Sequence, residues 1–168
     1  MTKQPDNNIG GDAMLYCVLA WILFAALAVN FAVVMTREIG MLTIGETPFL
    51  DVFNGFWRAV LVGLPTLLVA FAVQDAARLF GQFSEGDIFS EANVKTLRSC
   101  GDTLILAAFA SSLISPTLLS WFDGEGRGFL WRLNDLAIAS FAMGAVVRGF
   151  GAVMRRGVEL KTENDEIV

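Results

Sequence analysis

Four long apolar runs, separated by short polar breaks, dominate the pattern of hydrophobic and polar positions along the chain. The first run, at 13–35, carries no charged side chain. At 1.5 Å per residue it would extend for about 34 Å as a helix, which is enough to cross a hydrocarbon core of roughly 30 Å. This run alone predicts a transmembrane helix.

The three later runs are also long enough to span, although two of them contain one charged residue. The run at 56–73 has Arg58 in its first turn, the run at 103–122 has no charge, and the run at 136–153 contains Arg148. We interpret the fourth run as a span because the third helix would otherwise have no return path. The chain is therefore predicted to be an all-α, polytopic membrane protein with a four-transmembrane-helix bundle.

The polar stretch between the second and third runs has a helical pattern of its own. Ser90 is well placed to cap a helix, and Glu91 suits its first turn because carboxylates are favoured at helix N-termini. Val94 and Leu97 then recur at helical spacing, while Lys95 and Arg98 face away from them. We therefore predict a cytoplasmic amphipathic helix between transmembrane helices 2 and 3, lying along the inner membrane surface before it turns into the third span.

The distribution of basic residues predicts the orientation. With four spans, one side of the membrane carries Lys3, Arg78, Lys95, Arg98, Arg148, Arg155, Arg156 and Lys161, and the other carries Arg37, Arg58, Arg127 and Arg132. Cytoplasmic loops of membrane proteins are enriched in lysine and arginine. The richer side is therefore predicted to be cytoplasmic, which places both tails, at 1–12 and 155–168, in the cytoplasm and the transmembrane domain at 13–154.

Composition agrees with a lipid environment and excludes several classes of function. Apolar residues make up 55% of the chain and charged residues 17%, which is typical of a protein whose solvent is partly lipid. The net charge of −5 argues against direct binding of nucleic acid. The chain has no histidine, and its two cysteines are far apart, so we predict no metal, no cofactor and no enzymatic activity.

Charged and small residues inside the spans predict contacts within the membrane. Arg58 and Asp135 each fall in the first outer turn of a span, so we predict that they pair or share a hydrated outer pocket; Arg58 reaching the lipid phosphates alone is an equal alternative. Arg148 is expected to reach the inner headgroups. Ser140 and Gly144 form a small-residue face that permits close helix contact, either within one chain or in a homo-oligomer.

A resemblance to a known family rests on the middle segment and the C-terminus. The run RLFGQFSEGDIFSEANVKTLRSCGDTLI and the ending GVELKTENDEIV resemble the uncharacterised bacterial family DUF2975. Members of that family look like small four-span proteins, so the resemblance implies a multi-pass protein of the bacterial inner membrane. Members are often similar in setting to membrane proteins encoded beside a small helix-turn-helix regulator, so the resemblance suggests signalling.

These observations predict a nonenzymatic regulatory or interaction protein whose cytoplasmic loop and tail contact a protein partner. The predicted partner surface consists of Phe83, Ile88, Phe89, Ser90, Asn93, Lys95, Arg98, Glu163, Asn164 and Asp165. The alternative is a small membrane transporter or channel. Small multidrug exporters have four spans but couple protons through a carboxylate deep in the first span, and the run at 13–35 has none.

Overall fold

The computed structural model describes residues 7–40, 49–84, 90–124, 126 and 128–166. Its elements are α1 (Asn7–Gly40), α2 (Phe49–Ser84), α3 (Glu91–Phe109), a π-helical segment (Ala110–Ile114), α4 (Ser115–Phe122) and α5 (Asp135–Glu166). The π-helical segment joins α3 to α4 without a break, so these three elements form one rod, which we call the α3–α4 rod. Among the described residues, four helical rods are long and apolar enough to cross a membrane, which confirms the prediction of four membrane-spanning helices.

Consecutive rods pack side by side and antiparallel. α1 packs on α2, α2 packs on α3, and α3 packs on α5, so the described contacts form a row of four helices. The thiol of Cys17 in α1 donates to the carbonyl of Ala77 in α2 at 3.4 Å, and the thiol of Cys100 in α3 donates to the carbonyl of Ala72 in α2 at 3.3 Å. Both cysteines are free thiols at helix contacts.

Glycine allows α3 and α5 to approach each other closely. A Cβ atom on Gly144 of α5 would lie 2.8 Å from Gly101 O and 3.0 Å from Ile105 N, both of which are backbone atoms of α3. A Cβ atom on Gly101 would in turn lie 3.0 Å from Gly144 O. Ser140, on the same face of α5, is also buried. The predicted small-residue face therefore makes a helix contact within one chain.

Charged residues mark one end of the apolar zone, on the side where α2 ends and α3 begins. Arg148 of α5 forms an ion pair with Asp102 of α3. Nearby, Asp75 of α2 accepts a hydrogen bond from Ser99 at 3.2 Å. We call Asp75, Asp102 and Arg148 the terminal belt. The structure gives the guanidinium of Arg148 a carboxylate partner, and the expectation that Arg148 reaches the inner headgroups stays a prediction.

A second level of charge lies at the opposite end of the rods. Arg58 of α2 donates to Asp123 Oδ1, just after α4, at 2.7 Å. We call Arg58 and Asp123 the loop belt. The α3–α4 rod is uncharged between Asp102 and Asp123, a distance of about 32 Å along a helix, which matches the hydrocarbon thickness of a bilayer. The two belts therefore bound the zone that lipid would cover.

The helices extend beyond the terminal belt. α2 continues to Ser84, and α5 continues to Glu166, so most of the predicted C-terminal tail is helical. α3 begins where the sequence predicts a helix start, since Ser90 Oγ accepts a hydrogen bond from Asn93 N at 3.2 Å. From Glu91 to Phe109, however, α3 is one continuous helix. A separate amphipathic helix on the membrane surface is therefore not confirmed.

Candidate functional site

Non-helical residues precede the fourth span and lie beside the α3–α4 rod. α5 begins at Asp135, and residues 128–134 have no helical structure. The part of α5 between Asp135 and the terminal belt at Arg148 covers about 20 Å, whereas the two belts are about 32 Å apart along the α3–α4 rod. The remaining distance to the loop belt is covered by residues 129–134, which we call the extended segment.

Hydrogen bonds hold the extended segment against the α3–α4 rod. Thr117 Oγ1 donates to Leu130 O at 3.3 Å and accepts from Leu130 N at 3.1 Å. Arg132 N donates to Ser112 O at 2.8 Å. Irregular backbone is tolerated at membrane depth only where its polar groups are satisfied within the protein or by water. The contacts with the rod provide hydrogen-bond partners for the N–H and C=O groups of Leu130 and for the N–H group of Arg132.

The rod presents a backbone acceptor at this point because of its own sequence. Pro116 has no amide hydrogen, so Ser112 O, four residues earlier, lacks its usual α-helical donor. The surrounding turn, Ala110–Ile114, is π-helical. The π-helix is a rare conformation, and where it occurs it is often part of a functional site. Ser112 lies about 15 Å along the rod from Asp102, which is close to halfway between the two belts.

The first turn of α5 is fixed at the same depth. Asn134 Oδ1 accepts a hydrogen bond from Ala137 N at 2.7 Å, which caps the helix. Asn134 Nδ2 donates to Ser111 Oγ at 2.8 Å, and Ser111 Oγ donates to Asn134 Oδ1 at 3.0 Å. The positive end of the α5 dipole therefore lies inside the apolar zone, with Asp135 exposed in its first turn. This helix start is the candidate functional site.

Apolar side chains surround the polar groups of the site. Phe129, Trp131 and Leu133 alternate along the extended segment and are 82%, 60% and 67% exposed, so lipid would contact all three. Trp131 and Leu133 also line an apolar cavity of about 440 Å³ between the π-helical turn and α5. The backbone of the extended segment and the Asn134 side chain therefore bind the rod, while the side chains of Arg132 and Asp135 are exposed beside the apolar ones.

Arg58 and Asp135, the predicted intramembrane pair, lie at different depths. Arg58 meets Asp123 at the loop belt. Asp135 follows Asn134, which binds Ser111, and Ser111 is about 18 Å along the rod from Asp123. The described contacts thus give Arg58 a carboxylate at its own level, and the pair between Arg58 and Asp135 stays a prediction.

Residues of the predicted partner surface are spread over the ends of three helices beyond the terminal belt. Phe83 is half-buried near the end of α2, where its ring lies 6.4 Å from that of Phe80. Ser90 caps α3, and Asn93 is fully buried in its first turn. Ile88, Phe89 and the side chain of Asp165 lie outside the described residues.

The charged members of that surface are exposed but lie at two levels. Lys95 and Arg98 are exposed on α3, and Glu163 and Asn164 are exposed on α5. A Cβ atom on Gly151 of α5 would lie 3.8 Å from Arg98 N, so Arg98 is level with Gly151. Glu163 is about 18 Å further along α5. The acidic end of α5 therefore extends past the start of α3.

Sequence reasoning did not find the helix start within the membrane. The signals were Pro116 and the pair Asn134-Asp135, because proline removes a backbone donor and asparagine is a favoured helix cap. Their joint meaning depends on a contact between Ser111 and Asn134, which are distant in sequence. The described residues contain no group of three or more His, Cys, Asp or Glu side chains placed to hold a metal ion.

Comparison with known protein families identifies a family that matches the chain. A family model described as "Protein of unknown function (DUF2975)" matches residues 56–168, which include α2 from Phe56 onward, the α3–α4 rod, the extended segment and α5. No curated protein and no solved structure matches the chain. The matched region contains the whole candidate site.

Proposed function

Because the chain belongs to the DUF2975 family, whose function is unknown, we propose its role from its own structure. The protein is a nonenzymatic, multi-pass protein of the bacterial inner membrane that binds a cytoplasmic protein partner with the helix ends beyond its terminal belt. The observation that carries this proposal is the length of α5, which continues for about 27 Å past Arg148 to Glu166. A span needs no such extension to cross a bilayer.

The proposed orientation rests on charge. Eight of the twelve basic residues lie on the side of the termini, and basic residues favour the cytoplasmic side of a membrane. Protease treatment of inside-out membrane vesicles tests this orientation, because an epitope fused after residue 168 should be removed. An epitope that is removed only from right-side-out vesicles would reverse the orientation and contradict a cytoplasmic partner.

The exposed face of α5 has the spacing of a helix-pairing surface. Val146, Phe150, Val153 and Leu160 follow one another at steps of four, three and seven residues and are 55% to 70% exposed. This is a heptad pattern, which brings apolar residues to one side of a helix. We call these four residues the apolar stripe of α5. The stripe lies on the side of α5 opposite its contact with α3 at Gly144 and Gly151. It continues past the terminal belt, so its far end is available to a partner outside the lipid.

We expect Leu160→Asp to reduce co-purification of the partner from native membranes at least tenfold, since it puts a charge at the end of the stripe. Deletion of residues 159–168 should do the same. The measurement is quantitative mass spectrometry of proteins retained with the full-length chain in detergent. A helix-turn-helix transcription regulator is the partner class that the resemblance implies.

Thr162→Asp is the matched control, because Thr162 is exposed on the opposite face of the same helix. It adds the same charge and should leave co-purification unchanged. Equal loss in Thr162→Asp and Leu160→Asp would show that the stripe is not the contact surface. Full retention after deletion of residues 159–168 would exclude the end of α5.

A second candidate function, a small transporter or channel, is favoured by the helix start within the membrane. Broken spans whose helix N-termini lie near the bilayer midplane are typical of substrate sites in transporters. A carboxylate in the same place is typical of proton pathways, and Asp135 is exposed there. The row of helices could complete such a pathway by pairing with a second copy.

Proton flux in proteoliposomes that contain a pH-sensitive dye tests this function. If the protein conducts protons, Asp135→Asn should abolish the flux, because the amide does not titrate. Asp123→Asn is the control, since it makes the same change at the loop belt. Wild-type flux equal to that of empty liposomes, or equal flux in wild type and Asp135→Asn, would exclude proton transfer through Asp135.

A further inference from the structure

A groove opens between α3 and α5 at the level of the terminal belt. Its volume is about 260 Å³, and Gly151 and Ala152 of α5 line it. Because these two residues have almost no side chain, space remains between the longer side chains around them. Gly151 is itself buried against α3, with the nearest atoms 3.8 Å and more from where its Cβ would lie. The groove is thus a consequence of small residues at a helix contact.

Arginine is the main polar component of this groove, which is lined by Arg98, Arg148, Arg155 and Arg156. Two of these side chains have carboxylate partners. Arg148 pairs with Asp102, and Arg155 Nε donates to Glu159 Oε1 at 3.0 Å. Both pairs are about half exposed or more, so they add little stability by themselves.

The other two arginines give the groove an excess of positive charge. Within the part of the chain that the structure describes, Arg98 and Arg156 have no acidic partner, and both are exposed. One belongs to α3 and the other to α5, so the two guanidinium groups approach the groove from different helices. Guanidinium groups bind phosphate oxygens through paired hydrogen bonds.

The depth of the groove decides which phosphate it meets. Arg148 is level with Asp102, the charged residue that directly precedes the uncharged part of the α3–α4 rod in the sequence. In a bilayer this is the boundary between acyl chains and headgroups, where lipid phosphates are concentrated. Basic pockets between transmembrane helices on this kind of boundary bind anionic headgroups. A zwitterionic lipid would bring its own cation into a groove that already has positive excess.

We propose that this groove binds the phosphate group of an anionic glycerophospholipid, with Arg98 and Arg156 donating hydrogen bonds to the phosphate oxygens. Arg148 and Arg155, held by their carboxylates, form the adjoining wall. The bound headgroup links α3 to α5 next to the Gly101 and Gly144 contact. This binding does not depend on a protein partner or on proton transfer.

Native mass spectrometry of the full chain tests the proposal. The protein is purified in detergent and mixed with equal amounts of phosphatidylglycerol and phosphatidylcholine that have the same acyl chains. Wild type is expected to retain phosphatidylglycerol in preference. The double variant R98Q/R156Q should lose this preference by about fivefold for each arginine removed, the factor that corresponds to about 1 kcal/mol for one basic residue at a membrane surface.

The control variant R78Q/K95Q removes two positive charges from the same end of the protein, outside the groove. It should keep the wild-type preference; an equal loss in this control would overturn the proposal, because general surface charge would then explain the binding. Unchanged preference in R98Q/R156Q would also overturn it. Release of the lipid by an excess of inorganic phosphate would assign the groove to a soluble anion and overturn the lipid assignment.

A second variant keeps the test decisive if R98Q/R156Q does not fold. R98K/R156K retains both charges but lacks the planar fork that pairs with two oxygens. Its preference for phosphatidylglycerol is expected to fall between those of wild type and the glutamine variant. A lysine variant with the full wild-type preference would contradict the assignment of hydrogen bonds to the two guanidinium groups.

Discussion

Replacing Gly144 by leucine is expected to separate α3 from α5 and to lower the free energy of unfolding by about 3 kcal/mol or more. Even the Cβ atom of the new side chain would lie 2.8 Å from Gly101 O and 3.0 Å from Ile105 N. Both are backbone atoms, which cannot rotate out of the way. The contact can therefore be restored only by moving one helix, and the loss can be measured by denaturant unfolding in detergent micelles, followed by tryptophan fluorescence.

Gly149 is the matched control on the same helix. A Cβ atom at Gly149 would meet nothing within 4 Å, so Gly149→Leu should change the free energy of unfolding little or stabilise α5 slightly. Gly144→Ala should be intermediate, since it adds only the clashing Cβ. Equal stability of Gly144→Leu and Gly149→Leu would show that the close approach of α3 and α5 does not hold the fold together.

The contrast between these two glycines shows where sequence-based prediction succeeds and where it ends. The four spans could be predicted because each apolar run is contiguous in sequence and long enough to cross a bilayer. The small-residue face around Gly144 could also be predicted from its spacing. Its partner could not, because a second copy of α5 and the α3 helix would suit such a face equally well. Only the register of α3 on α5, with Gly101 opposite Gly144, decides between them.

The depth of a residue between the two belts is the property that is hardest to predict from the sequence. Asp135 comes shortly after Asp123 in the sequence and directly before the fourth apolar run, so the sequence places it in the first outer turn of that span. In the structure, the extended segment returns along the rod and carries Asp135 about 18 Å inward from the loop belt. This return depends on hydrogen bonds to Thr117 and Ser112, which belong to the preceding rod. A hydropathy average depends only on residues that are neighbours in the sequence, so it cannot predict these contacts.

The same reasoning applies to the segment after Ser90. Its helix cap follows from local chemistry, because serine before a helical pattern accepts a backbone hydrogen bond wherever the helix lies. The direction of the helix does not follow from local chemistry. In the structure, α3 runs from Glu91 to Phe109 as one continuous helix, and it contacts α5 at Gly101 and Asp102. An amphipathic pattern alone fits both a surface helix and the end of a long rod.

Replacing Asn134 by leucine is expected to lower the free energy of unfolding by about 2 to 4 kcal/mol, the second large effect at a single position. The leucine removes the cap on Ala137 N, which is worth about 1 kcal/mol, and leaves the Ser111 hydroxyl without its partner at membrane depth, which costs about 1 to 3 kcal/mol. The measurement is the same unfolding experiment. Asn164→Leu is the control, because Asn164 is exposed near the far end of α5.

Two further variants separate the contribution of the helix cap from that of the hydrogen bond with Ser111. Asn134→Ser keeps a side-chain acceptor for the helix cap, so it should recover about 1 kcal/mol relative to leucine. Ser111→Ala combined with Asn134→Leu removes both polar partners, and an apolar pair at this depth should be more stable than Asn134→Leu alone. If Ser111→Ala instead adds its full cost to that of Asn134→Leu, the two side chains are independent. The start of α5 would then be fixed by the backbone contacts of the extended segment rather than by its cap.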